Sequence, residues 1–245
     1  MITLPLPYSI VNRFSQNTCE DSVKNKRDRL FFTQLFVPQA SQSSYDRRAE
    51  LDVRLAIPSA QSACGMEDFM KVVDMHCDTI AALYENKEKG WTLQDNRLHI
   101  RLDKMKQGDY LLQNFALFVC TENCADPYQQ ALTLADCFDR QMALFPEQIG
   151  QVRCYNDILE NQKNGRISAL LTIEEGAVCQ GSLEKLREFY DRGVRMLTLT
   201  WNFPNEIGFP NFAISEDGKP DRTVPNTKDG LTEFGFLFLE EMERL

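Results

Sequence analysis

Histidine is scarce in this chain, with two residues, His76 and His99, among 245. One of them sits between two aspartates in "VVDMHCDT", residues 72–79, at the end of an apolar run. Clustered basic residues are also missing. Lys and Arg number 27 against 36 Asp and Glu, and the formal net charge of −9 argues against a nucleic-acid or anionic-membrane surface. No apolar run approaches the roughly 20 residues of a membrane span. The start, "MITLPLPYSIVNRF", lacks the basic lead and long apolar core of a signal peptide, so the chain reads as cytoplasmic, with no membrane partner. The eight cysteines (19, 64, 77, 120, 124, 137, 154 and 179) form no CxxC pair and no disulfide framework. Cys120 and Cys124 have zinc-like spacing but no second pair follows, and the thiols read as reduced and structural. No Gly-rich phosphate loop follows the first strand of the regular region, which weakens a dinucleotide fold.

What is present divides at about residue 65. Residues 1–65 contain polar stretches such as "SQNTCEDSVKNKRDR" and read as a weakly ordered extension, with "RLFFTQLFV" a short apolar run lacking an evident partner. Residues 66–245 read as a domain that begins directly on a strand, with Met66 or Met70 as its natural start. "KVVDMHCDT", "YLLQNFALFVC", "RISALLTIEEG" and "VRMLTLTW" read as four strands. A helix after the second is capped by Asp126, with Pro127 in its first turn and Pro146 as its end. "SLEKLREFYDRG" is a helix capped by Ser182 and stopped by Gly193. Residues 202–229 read as a loop, and "LTEFGFLFLEEMERL" as a final helix burying Leu231, Phe234, Leu237, Phe238, Met242 and Leu245. Near-continuous apolar strands alternating with helices predict a parallel sheet. Four such units make an open sheet or half of an eight-stranded barrel.

Side chains two apart on a strand share a face, so the sequence places His76 and Asp78 together at a strand's C-terminal end, where parallel α/β proteins build their sites. Imidazole and carboxylate at this spacing suit one divalent metal, although HxD alone also fits a histidine hydrogen-bonded to an aspartate. Asp74 lies one step deeper, positioned to orient a ligand, and Cys77 points to the packing side. His99 has no acidic neighbour at ligand spacing. Glu174 and Glu175 end an apolar strand, where unpaired charge is costly, and point to opposite faces.

"VVDMHCDT", "LLTIEEGAV", "LEKLREFYDRGVRMLTLTWNFPNEIG" and "KDGLTEFG" together resemble the membrane (renal) dipeptidase family of zinc peptidases, most nearly its soluble bacterial members, over residues 70–245. The resemblance implies an eight-stranded (β/α)8 TIM-type barrel, here a partial one of about four strand–helix units, and a two-zinc centre that hydrolyses dipeptides, including those with a C-terminal D-residue. It implies His76 and Asp78 as ligands of the first zinc and Glu174 as the carboxylate bridging both. Glu175 stands where many members have glycine. Trp201 replaces the histidine that many members use for substrate, leaving an aromatic wall as its expected substrate-binding role. The family's later histidines, arginine and aspartate have no counterpart in these residues.

The expectation is thus a zinc dipeptidase by descent, truncated and inactive by itself, with a dipeptide as substrate. The alternative is a non-catalytic fragment with weak metal binding or a protein-interaction role, and a single-metal hydrolase ranks third. The apolar fourth strand, if left as a sheet edge, predicts self-association.

Overall fold

The computed structural model describes residues 32–34 and 71–245. β1 (Phe32–Gln34) is followed by β2 (Val72–Asp74), α1 (Thr79–Glu85), α2 (Leu102–Gln107) and β3 (Tyr110–Phe118). Next come α3 (Pro127–Leu144), β4 (Ile149–Val152), α4 (Tyr155–Lys163), β5 (Ile167–Glu174), α5 (Leu183–Arg192) and β6 (Val194–Thr198). A β7–β8 hairpin (Phe212–Ile214 and Pro220–Pro225) and α6 (Glu233–Arg244) complete the described elements.

The main sheet is parallel throughout, in the order β1-β6-β5-β3-β2. The four strands read from the sequence lie side by side in chain order, and with α1, α3, α5 and α6 they form a partial TIM-type barrel. β5 is the central strand. β3 lines one edge, while β4 pairs with its first half and β6 with its second half on the other.

Alternation along β5 separates two packing environments. Ala169, Leu171 and Ile173 enter the main apolar core with Phe115 and Leu117 of β3, Ile80 of α1, Phe138 of α3 and Phe189 of α5. Leu170 instead meets Leu112, Val152 and Ile158 of α4 in a small second cluster. Asn161 of α4 ties this side to the sheet, its Nδ2 donating to Gly150 O at 3.0 Å and Ser168 Oγ at 3.3 Å. Polar Thr172 and Glu174 follow on the same side, toward the strand's C-terminal end.

Local chemistry sets the helix ends as expected. Asp126 accepts from Gln129 N at the start of α3, and Pro127 occupies its first turn. Ser182 accepts from Lys185 N, and Gly193 ends α5 with φ +105°.

Several expectations need correction. β2 stops at Asp74, so His76 and Asp78 are not on a strand. β4 and α4 occupy a stretch not assigned from the sequence, and the 202–229 region contains the β7–β8 hairpin. On α6, Leu237 is 53% exposed, while Gly235 and Glu241 are buried in its place. Glu241 is accommodated by Arg187 Nε at 2.6 Å and Arg244 Nε at 2.7 Å, which hold its carboxyl down at about 2. The apolar run at 29–37 does find a partner at Phe32–Gln34, because β1 pairs with Met196–Thr198 along the outer edge of β6. The rest of residues 1–65 lies outside the described residues. Among the described residues, no helix is long and apolar enough to cross a membrane.

Candidate metal centre

Asp74 decides where β2 ends. Its Oδ1 accepts the backbone N–H of His76 at 3.2 Å, a two-residue side-chain turn that removes this N–H from the strand ladder. The chain then runs on beside β3, with Ala116 N donating to Cys77 O at 3.0 Å. His76 therefore sits at the C-terminal mouth of the sheet although it is not in a strand. Asp78 stands at the N-cap of α1 but makes no side-chain capping bond, which leaves its carboxylate to face His76. Cys77 packs against the core, and burial pushes its thiol up to about 11.

Glu174 is the last residue of β5, flanked across the ladder by Phe118 and Thr198. Its Oε2 lies 2.9 Å from His76 Nε2, and Asp78 Oδ1 lies 3.4 Å from the same nitrogen. One donor atom from each of the three residues falls within 4.8 Å of the others. Three ligands on one tetrahedral ion with ~2.0–2.1 Å bonds stand about 3.4 Å apart, so the spacing and the one-imidazole, two-carboxylate donor set suit a divalent cation. Hydrogen bonding to Asp78, then to Glu174, pushes the His76 imidazole up to about 10, against the opposing effect of burial. The structure thus brings together His76, Asp78 and Glu174. His99 is exposed and belongs to no such group among the described residues.

Glu175 turns the other way. Its φ of +84° is a backbone region that favours glycine. Its buried carboxylate accepts from Ala177 N at 3.3 Å, Trp201 N at 3.2 Å and Asn205 Nδ2 at 2.8 Å. Burial raises its pKa, and these three bonds oppose the rise. Asn205, which the sequence reading passed over, is the hub of this arrangement. Its Nδ2 also donates to Leu199 O at 2.8 Å, and its Oδ1 accepts from Ile207 N at 2.8 Å and Gly208 N at 3.1 Å. The turn-forming "PNEIG" was the available signal.

The "KDGLTEFG" segment acts through the same loop. Thr232 caps α6 by accepting from Gly235 N at 2.9 Å. A Cβ on Gly235 would stand 2.0 Å from Ile207 O, so glycine allows α6 to approach. Trp201 is half-buried, its ring 5.2 Å from that of Phe118 and 6.3 Å from that of Phe203. It forms an aromatic row beside the mouth.

Strands in barrel order with a His–Asp–Glu group at their C-terminal mouth define a partial α/β barrel with a candidate metal centre. The sequence profile of the membrane dipeptidases (Peptidase family M19) matches residues 61–245, and the chain belongs to that family. An uncharacterised dipeptidase of Schizosaccharomyces pombe is 31% identical over 158 residues, covering 60% of this chain and 36% of that protein. Dipeptidase 3 of Rattus norvegicus is 30% identical over 195 residues, covering 76% of this chain and 37% of that protein. The chain therefore spans little more than a third of the length of these relatives. A metallopeptidase of Rhodobacter sphaeroides, solved with a phosphinate mimic of the dipeptide L-Ala-D-Ala, shares the fold with a TM-score of 0.56 and 20% identity, covering 71% of this chain and 56% of that one.

Proposed function

We propose that this chain carries part of the metal centre of a zinc-dependent dipeptidase, with His76, Asp78 and Glu174 as ligands of one ion. The substrate class is dipeptides, including those with a C-terminal D-residue. The observation that carries the reading is the convergence of the three donors within 4.8 Å at the mouth of a parallel sheet. Family membership supports it.

A zinc ion held there supplies water of lowered pKa and polarises the carbonyl of a scissile amide. The chain's own residues hold and orient the donors. His76 offers Nε2 while the Asp74 carboxylate fixes its backbone. Glu174 brings a carboxylate that is 8% exposed, whereas Asp78, at 56%, faces the open side from which substrate would arrive. Phe118 and Trp201 form an apolar wall beside the cluster. Among the described residues β2 ends the strand order with Val72, Val73 and Met75 exposed, which supports self-association through this edge, whereas β6, the edge expected from the sequence, is paired with β1.

Zinc titration of the chelator-stripped chain by calorimetry tests the site. One equivalent should bind, and Glu174→Gln should weaken binding by about 100-fold, the upper end of what even a ligand's outer partners contribute. Absence of binding, or binding indifferent to the substitution, would contradict the proposal. Dipeptide turnover by these 245 residues alone should be negligible even with zinc, because one three-donor group lacks a second cation. Robust hydrolysis would overturn that expectation.

A further inference from the structure

Glu175 occupies a position that disfavours glutamate twice over. Among the described residues three that are not glycine have positive φ, Asp109, Glu175 and Gln180, and of these Glu175 alone is buried. Backbone strain and carboxylate burial persist only where the surroundings hold them, which makes the partners of this side chain informative.

The two carboxylate oxygens hold different things. Oε1 accepts from Ala177 N at 3.3 Å and from Asn205 Nδ2 at 2.8 Å, the amide that anchors the loop after β6. Oε2 accepts from Trp201 N at 3.2 Å. Gly176 lets the two segments touch, since a Cβ there would stand 2.7 Å from Leu199 O. On its other side the Trp201 ring packs edge-on against Phe118, the ladder partner of Glu174. Trp201 is thus fixed twice, its ring by Phe118 and its backbone by Glu175, and both contacts lead back to the strand end that carries Glu174.

We infer that Glu175 is a positioning residue, whose second oxygen sets where the Trp201 ring stands to receive an apolar side chain of the dipeptide. It acts through Trp201 and not on the reacting atoms. The inference rests on the proposed dipeptide reading for what the ring receives. A carboxylate is required because an amide offers a single acceptor oxygen. In Glu175→Gln that oxygen can serve Ala177 N and Asn205 Nδ2 only by turning its NH2 toward the Trp201 N–H, donor against donor. The substitution therefore releases Trp201 while keeping the anchor at Asn205.

The test uses the full chain with Trp91→Phe, which leaves Trp201 as the sole tryptophan. Without metal or peptide, Glu175→Gln should raise acrylamide quenching of Trp201 by about twofold, as expected of a locally freed segment. In the zinc-loaded chain, L-alanyl-L-phenylalanine followed by Trp201 emission should bind about tenfold more weakly, the scale of one unpaired buried donor. L-Alanyl-glycine, with no side chain to meet the ring, should lose far less, and zinc affinity by calorimetry should be unchanged. Ser182→Ala, which removes the α5 cap and lowers stability elsewhere, should leave both Trp201 readouts as they are. The inference is overturned if Glu175→Gln leaves quenching unchanged, if it weakens both peptides equally, if zinc affinity falls as far as peptide affinity, or if Ser182→Ala reproduces its effects. If neither peptide binds the zinc-loaded chain before substitution, the dipeptide reading fails, and the quenching result still decides whether Glu175 holds Trp201.

Discussion

Glu174 and Glu175 follow one another at the end of β5 and are both buried, yet they meet different surroundings. Glu174 shares the mouth with His76 and Asp78, where its oxygen lies 2.9 Å from an imidazole nitrogen. Glu175 is wrapped by backbone and amide donors from the loop after β6. The first carboxylate is compensated by a group that can exchange a proton for a metal. The second is compensated by donors that have nothing to exchange. Burial of charge therefore marks a functional site only when the nature of its partners is known.

The largest expected effect that separates the two residues is on stability. Glu175→Ala keeps a Cβ at φ +84° and strips three donors of their acceptor. Unfolding free energy should fall by about 2–4 kcal/mol. Glu175→Gly loses the same acceptor but relieves the backbone, so its loss should be smaller by about 1 kcal/mol. Urea denaturation of both beside Glu174→Gln checks this. If Glu174→Gln is as destabilising as Glu175→Ala, the contrast fails.

A smaller effect is expected two residues before His76. Asp74→Ala frees the His76 N–H and should lower zinc affinity by about tenfold through loosened ligand orientation. Calorimetry checks it, and unchanged affinity would reduce Asp74 to a strand terminator.

The last expected effect is the pH dependence of the metal-free chain. The folded-state pKa of His76, about 10, lies above its ordinary value of 6.5. Its contribution is therefore fully present below about pH 6.5 and is lost as pH rises through about 10. Glu175 acts in the same direction at lower pH. Its raised pKa disfavours the folded state once the carboxylate ionises, and the penalty is relieved as pH falls. The stability difference between the chain and its His76→Gln variant should shrink between pH 7 and 10.5, with Glu174 and Asp78 retained. A difference that grows over this range would contradict the ion-pair account.

Much of this was legible because the signals are local. The spans of β3, β5 and β6 follow their apolar runs, and Asp126, Ser182 and Gly193 act at the helix ends where their chemistry places them. The pairing of His76 with Glu174 followed from the family resemblance, whereas the geometry assumed for it did not hold. Period-two reasoning put His76 and Asp78 on a strand, but Asp74 captures the next-but-one N–H and ends that strand early. No periodic pattern reports such a competition. Leu237 was assigned to the core because its spacing on α6 is right. The helix is instead rotated toward Gly235, whose missing side chain lets Ile207 O approach, and that contact is set by a loop remote in sequence. Asn205 was missed for a similar reason, since a single amide that joins Glu175, Leu199, Ile207 and Gly208 leaves only a turn-like stretch in the sequence.

The central claim is that His76, Asp78 and Glu174 hold a metal ion. The most direct measurement is anomalous diffraction at the zinc edge from crystals of the zinc-loaded chain. The account predicts a peak within about 2.0–2.2 Å of His76 Nε2 and of one oxygen each from Asp78 and Glu174, the ordinary zinc–ligand range. A zinc peak on His99 or between Cys120 and Cys124, with none at the mouth, would contradict it.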